Sequence, residues 1–232
     1  MSPEAIQLTR ARYFGLITFQ DRQVGRLLQF LDDNDLAENT IVLFTADHGE
    51  LAGDFGCFFQ ANFLNGSVRV PMILRAPGQA PAGLASHQLV GLQDVLPTVA
   101  SLAGVPLGRE VDGVDLTAYM SGGEVRPFYV SQCLDAPNQG YMLFDGQYKY
   151  IYCQADGVQE LYDLLADPQE LTNLAGEPAH QARLVDRRRQ LIGWCREHGD
   201  ESMLDGDDLA VSRPDPNAPS PPMQQFLGWR HY

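Results

Sequence analysis

The first thirty-odd residues of the chain are written in helical period. Leu8, Ile17, Val24, Leu27, Leu28 and Leu31 recur at intervals near 3.6 residues, and Pro3 behind Ser2 supplies a first-turn proline after a cap, so the pattern predicts one long helix over residues 3–34. The polar stretch DDNDLAEN breaks it. An apolar run from Thr40 through Phe44 then reads as a buried strand over 40–45, and a second strand over Val70 to Leu74 closes on the turn signal Ala76-Pro77-Gly78. Residues 92–103 read as a further helix stopped by Gly104. Strand, turn and helix in this order predict an α/β layer, with helices flanking a mostly parallel sheet.

The pattern changes after YMSGGE. RPFYVSQC, GYMLFDGQYKYIYC and QELYDLLAD are aromatic-rich runs separated by Asp-Gly and Asp-Pro turns, and a charged helix over about 178–198 follows them. This predicts a small α+β unit, an antiparallel sheet with one helix laid on it. Tyr141, Tyr148 and Tyr150 alternate along such strands and read as packing residues rather than as the rim of a pocket. The expected organisation is therefore 1–120 as α/β core, 121–200 as the antiparallel unit, and 201–232 as a Pro-rich acidic tail.

Composition narrows the function classes. The 232 residues carry a formal net charge of -14, which disfavours nonspecific binding to nucleic acid or to an anionic membrane surface. The four cysteines, Cys57, Cys133, Cys153 and Cys195, are widely and irregularly spaced, with no CxxC, and read as free thiols of a reducing compartment. No apolar stretch is long enough for a bilayer and the first residues lack the apolar core of a signal peptide, so a cytoplasmic location is the default expectation.

Candidate chemistry lies in FTADHGELAGDFG, residues 44–56, where the first strand ends on Asp47 and His48 side by side. An isolated Asp-His-Gly reads first as a strand-to-loop turn; the alternative is a pair of metal ligands at the carboxyl end of a core strand. The DFG at 54–56 is not a kinase motif, because no glycine-rich loop or HRD segment precedes it. Asp94 is expected to support a helix turn, and Arg69 to pair with a carboxylate beside its strand. His87, His180, His198 and His231 are expected at the surface or in caps, and the acidic run GDESMLDGDDL as a solvated loop.

Several of these motifs occur together in one order. RYFGLITFQDRQVGRLLQFLDDNDLAENTIVLFTADHGELAGDFG, then SVRVPMILRAPG and LQDVLPTVASLAGVP, and later LYDLLADPQELTNLA, resemble the sulfatase family of the alkaline-phosphatase-like superfamily. The resemblance runs from about residue 9 to about 198 and implies the C-terminal part of that family's α/β sandwich, followed by its small antiparallel subdomain. It implies hydrolysis of a sulfate ester, or of a related phosphate or phosphonate ester. It also implies that Asp47 and His48 bind a divalent cation, calcium in most of the family, and it makes a small sulfate ester or a sulfated glycan the substrate class.

The departures from the family pattern are as informative. No cysteine or serine stands in the Cys/Ser-x-Pro-x-Arg context from which the family makes its nucleophile. Gln60 occupies the position of the family's sulfate-contacting lysine, Phe55 stands where Gly-Asp-His-Gly has histidine, and Asn65 where an acidic residue is common. A chain of this kind is expected to be inactive alone. The readings that follow are half of a split enzyme completed by a nucleophile-bearing N-terminal half or an oligomeric partner, or a non-catalytic interaction module.

Overall fold

The computed structural model describes residues 2–58, 62–133 and 139–213. Its first element, α1 (Pro3–Asp33), starts where the Ser2 hydroxyl accepts the Ala5 amide at 3.3 Å and Pro3 fills the first helical position. None of its residues is buried. Leu8, Phe19 and Phe30, spaced eleven residues apart, and Leu16 with Leu27 at the same spacing, form an exposed apolar stripe along the helix. Half of the expected core face is thus open: Leu8, Ile17 and Leu27 are exposed, while Val24, Leu28 and Leu31 are partly covered. At the N-terminal end, Ile6 packs on Gly53, and Arg10 donates to the Ala52 carbonyl at 2.9 Å and to Asp54 at 2.6 Å.

The core strands are shorter than the sequence pattern implied: β1 (Val42–Thr45) and β2 (Met72–Arg75). They are antiparallel, with Leu43 opposite Leu74 and Phe44 opposite Ile73. The expectation of a mostly parallel sheet is corrected here, since among the described residues no two named strands pair in parallel. The physical reason lies in the connection. The described residues between 46 and 71 form loops, a 3-10 turn at Asp54–Gly56 and the one-turn α2 (Asn65–Val68) rather than a crossover helix that packs back on the sheet, and the chain returns beside β1 in the opposite direction.

One face of this ribbon is covered. Leu43, Met72 and Leu74 look across a cavity of about 220 Å³ toward Val95 and Thr98 of α3 (Val95–Leu102). The entry to α3 is fixed by Asp94, fully buried, whose carboxylate accepts the Gly91 amide at 2.8 Å and the Val114 amide at 2.9 Å. Both its oxygens also take the Arg126 guanidinium, at 2.8 and 2.6 Å. Asp94 supports a helix turn as expected, and it also ties three distant segments together.

The second half forms a four-stranded antiparallel sheet in chain order: β3 (Tyr129–Cys133), β4 (Gly140–Phe144), β5 (Tyr148–Cys153) and β6 (Val158–Asp163). Its central strands are buried on both faces, which explains why their apolar runs are nearly continuous. Tyr141, Leu143, Tyr148, Tyr150 and Tyr152 pack on one side against Leu184, Leu191 and Cys195 of α4 (Gln181–Glu197), so the three tyrosines singled out above are core residues. On the other side Met142, Ile151 and Tyr162 hold Phe63, with Leu64 and Val68 beside it. The sheet therefore carries the 62–68 segment on its back.

The acidic stretch after α4 is more ordered than a solvated loop. β7 (Leu204–Asp205) and β8 (Asp208–Leu209) make a small hairpin whose Met203 and Leu209 enter the sheet's core. Asp208 and Asp207 pair with Arg188 and Arg196 of α4, each at 2.7 Å. His198 caps α4 and stacks on Trp194 at 4.1 Å. The Pro-rich stretch from 214 onward, His231 included, lies outside the described residues. No helix among the described residues is long and apolar enough to cross a membrane.

Candidate metal centre

β1 ends at Thr45, and Ala46 leads the chain off the sheet into Asp47 and His48. The Asp47 carboxylate folds back on the next residue: Oδ1 accepts the His48 amide at 2.9 Å, while Oδ2 lies 3.6 Å from His48 Nε2. The other ring nitrogen, Nδ1, sits 2.8 Å from the Gly49 carbonyl. A carbonyl accepts only, so that contact is a hydrogen bond when Nδ1 carries the proton, and the lone pair of a neutral ring is then on Nε2. Two acceptors, Oδ2 and Nε2, consequently face one another. Two acceptors so placed can be joined by a cation. The Asp47 side chain is 83% exposed and that of His48 36%, so the pair opens to solvent rather than into packed interior.

The turn after His48 is held by close backbone contact. Gly49 donates its amide to the Ser67 carbonyl at 2.7 Å, and a Cβ at Gly49 would stand 2.0 Å from the Gly66 carbonyl oxygen. Only glycine fits there, which accounts for the third residue of Asp-His-Gly. Beyond it the loop is strained: Ala52 and Phe55 adopt φ of 51° and 55°, with Gly53 and Gly56 also left-handed. Histidine, the residue the family pattern places at 55, tolerates that conformation better than phenylalanine does. The Arg10 clamp from α1 closes over this loop.

Gln60 lies outside the described residues. Asn65 begins α2, at the start of the turn that supports Gly49. Arg69 ends that turn with an exposed side chain; among the described residues no carboxylate reaches ion-pair distance of it, contrary to the pairing its sequence context implied.

Sequence reasoning passed over two residues that the structure brings beneath this loop. Lys149 of β5 and Glu170, each with a side chain only 2% exposed, meet at 2.5 Å. Lys149 also donates to the Phe63 carbonyl at 2.8 Å and to Asn65 Oδ1 at 2.7 Å, and Glu170 Oε2 accepts the Asn65 amide at 2.6 Å. Burial presses the Lys149 ammonium below its usual range against the opposing pull of Glu170. A signal was present. Lysine in the middle of the aromatic run YKYIYC is a charge inside a strand buried on both faces, and such a charge requires a buried partner.

The fit of this site to a divalent cation is partial. A carboxylate oxygen and an imidazole nitrogen converge, and the second ring nitrogen is engaged by a carbonyl, as metal-binding histidines require. A calcium ion takes about six to eight ligands, and among the described residues no group of three His, Cys, Asp or Glu side chains is placed to hold a metal. Asp47 and His48 therefore fit as one side of a coordination sphere.

Comparison with known proteins agrees with this architecture. Residues 4–105 match the Sulfatase family model. The chain is 39% identical over 184 residues to the choline-sulfatase of Rhizobium meliloti (strain 1021), covering 77% of this chain and 35% of that protein. It is 34% identical over 203 residues to arylsulfatase K of Mus musculus, covering 82% of this chain and 36% of that one. Among solved structures, the phosphonate monoester hydrolase from Silicibacter pomeroyi superposes with a TM-score of 0.78 at 25% identity, over 92% of this chain and 47% of that one. The fold is that of an alkaline-phosphatase-like protein. The chain belongs to the sulfatase family, whose members are generally metal-dependent hydrolases, and it spans between about a third and a half of the length of these relatives.

Proposed function

We propose that this chain supplies one side of the cation site, and the supporting C-terminal sheet, of a hydrolase acting on sulfate monoesters, with phosphonate monoesters as the related class. The observation that carries the reading is the approach of Asp47 Oδ2 to His48 Nε2 at 3.6 Å, with Nδ1 held by Gly49. A divalent cation bound there, calcium in this reading, supplies Lewis-acid polarisation of a sulfuryl or phosphoryl oxygen. The chain's own groups do the rest of what can be assigned. Asp47 brings a hard anionic oxygen, the Gly49 carbonyl fixes the ring so that Nε2 points outward, and Gln60 offers a neutral donor where the family pattern has a cationic one. Losing one charged contact to the transition state typically costs about 10²–10³ in rate.

The nucleophile belongs, in this reading, to an α/β segment packed against the open face of β1–β2 and the α1 stripe. Phe44, Ile73, Phe19, Leu27 and Phe30 are exposed there, and both outer edges of the β1–β2 ribbon are without a strand among the described residues. The phosphonate class enters because a phosphonate monoester hydrolase shares the fold at a TM-score of 0.78.

A chimera tests the proposal. This chain replaces the matching 184-residue region of the choline-sulfatase relative, and turnover of 4-nitrophenyl sulfate and of 4-nitrophenyl phenylphosphonate is measured with calcium. Slow turnover of either ester, raised about 100-fold by Gln60→Lys, is expected; a folded chimera inert with both residues contradicts the reading. The ratio of the two esters reports the substrate class.

A further inference from the structure

Lys149 and Glu170 are buried and charged, and the side chains of both bond only to residues remote from them in sequence. Their side-chain hydrogen bonds do not go to the sheet that carries Lys149. All run to Phe63 and Asn65 or between the two charges themselves. Lys149 uses all three of its donors, and each Glu170 oxygen takes one hydrogen bond; apart from the bond between the two charges, these bonds end on Phe63 and Asn65, one short segment. That segment is the base of α2. From α2 the Ser67 carbonyl takes the Gly49 amide at 2.7 Å, and from Gly49 the carbonyl takes His48 Nδ1 at 2.8 Å. An unbroken series of contacts therefore leads from β5 to the imidazole that faces Asp47.

We propose that Lys149 and Glu170 are positioning residues: a buried latch that fixes α2 against the C-terminal sheet and, through Ser67 and Gly49, sets the tautomer and direction of the His48 ring for a cation. The functional consequence rests on the cation reading of Asp47 and His48; the mechanical link does not.

Three features separate a latch from an ordinary stabilising ion pair. A buried pair is often replaceable by apolar residues without loss of stability, so stability alone does not require one here. Phe63, Leu64 and Val68 already fasten the segment by apolar contact, which holds it to the sheet but leaves its rotation and height less defined. The ammonium and carboxylate add direction, because three of their four hydrogen bonds fix a backbone or amide group of Phe63 or Asn65. Asn65 is accounted for by the same geometry. Its side chain accepts from Lys149 while its amide donates to Glu170. An acidic residue there would place a second carboxylate beside Glu170.

The test uses the full chain, isotope-labelled, without metal. In the double variant Lys149→Met with Glu170→Met no lone charge is left buried. Its melting temperature is expected to stay near the parent's, with amide exchange at Leu143 and Ile151 unchanged, while exchange at Gly49 accelerates at least tenfold. The Gly49 amide reports the propagated effect, since neither substituted side chain touches it. Unchanged Gly49 exchange in a folded double variant overturns the latch. Glu170→Gln is the second variant, for the case in which the double variant does not fold. It keeps the volume, but its amide nitrogen cannot accept, so one of the two bonds to Lys149 and Asn65 must break. A smaller acceleration at Gly49 is expected, and none overturns the proposal. A parallel manganese titration of the parent separates the two readings: accelerated Gly49 exchange supports the latch whether or not manganese broadens the His48 signals, whereas failure of broadening counts only against the cation.

Discussion

Phe44 stands directly opposite Ile73 across the β1–β2 ladder, and the two side chains are 39% and 62% exposed. Leu43 and Leu74, one residue along, form the matching pair on the other face and look into the α3 layer. The ribbon is thus built to be covered twice, and the described residues cover it once. Phe44→Thr with Ile73→Lys is expected to lower dye binding and self-association of the chain several-fold. Because the pair is exposed, unfolding free energy should change by no more than about 1 kcal/mol. Light scattering and urea unfolding measure the two effects, and a large loss of stability would show the face to be internally packed.

Gly49 should tolerate no side chain. The Gly66 carbonyl occupies the space a Cβ needs, at 2.0 Å. Gly49→Ala is expected to cost about 1–3 kcal/mol through the forced backbone shift. It should also move the His48 ring signals, which a heteronuclear spectrum reads directly.

Acid stability should be governed by the buried carboxylate at the α3 entry. Burial alone raises Asp94, but the Arg126 guanidinium and the Val114 and Gly91 amides outweigh it and hold the carboxyl below its ordinary value near 3.8. A folded-state value below the unfolded one gives stability that is complete above the unfolded value and lost as pH falls through the folded one. Asp208 and Asp163 shift in the same direction. Urea midpoints are expected to be flat from neutral pH to about pH 4 and to drop below it. Asp94→Asn should be destabilised at neutral pH and show a shallower acid dependence.

The thiols should separate sharply. Cys195 is buried against the aromatic face of the sheet, and burial pushes it up to about 11. Cys57 is exposed. A thiol reagent at neutral pH is expected to label Cys57 within minutes, and Cys195 only at the rate of unfolding. Mass spectrometry of timed samples distinguishes the two.

Much of this was readable along the chain, for reasons specific to each element. The span of α1 followed from its apolar period and the Ser2-Pro3 start, and the four strands of the second sheet from aromatic runs broken at Asp-Gly and Asp-Pro. The direction of β2 was not readable, because strand pattern carries no sign of parallel or antiparallel pairing; the connecting segment decides it, and that segment is mostly loop. Nor did periodicity show that the outer stripe of α1 is uncovered, since an apolar face looks the same whether or not its partner is present. At the site, the convergence of Asp47 and His48 follows from adjacency at a strand end. Lys149 and Glu170 were missed because they lie 21 residues apart and act on a third segment. A charge inside a doubly buried strand was the only local sign.

The central claim is that Asp47 and His48 face one cation. With a net charge of -14 the chain will attract divalent ions at many surface points, so location is more telling than affinity. Manganese added in substoichiometric amounts to the labelled full chain is expected to broaden the His48 ring and Asp47 signals first, and Asp47→Ala should abolish that selectivity. Broadening confined to the acidic 199–209 stretch or other surface carboxylates, with His48 untouched, would contradict the account.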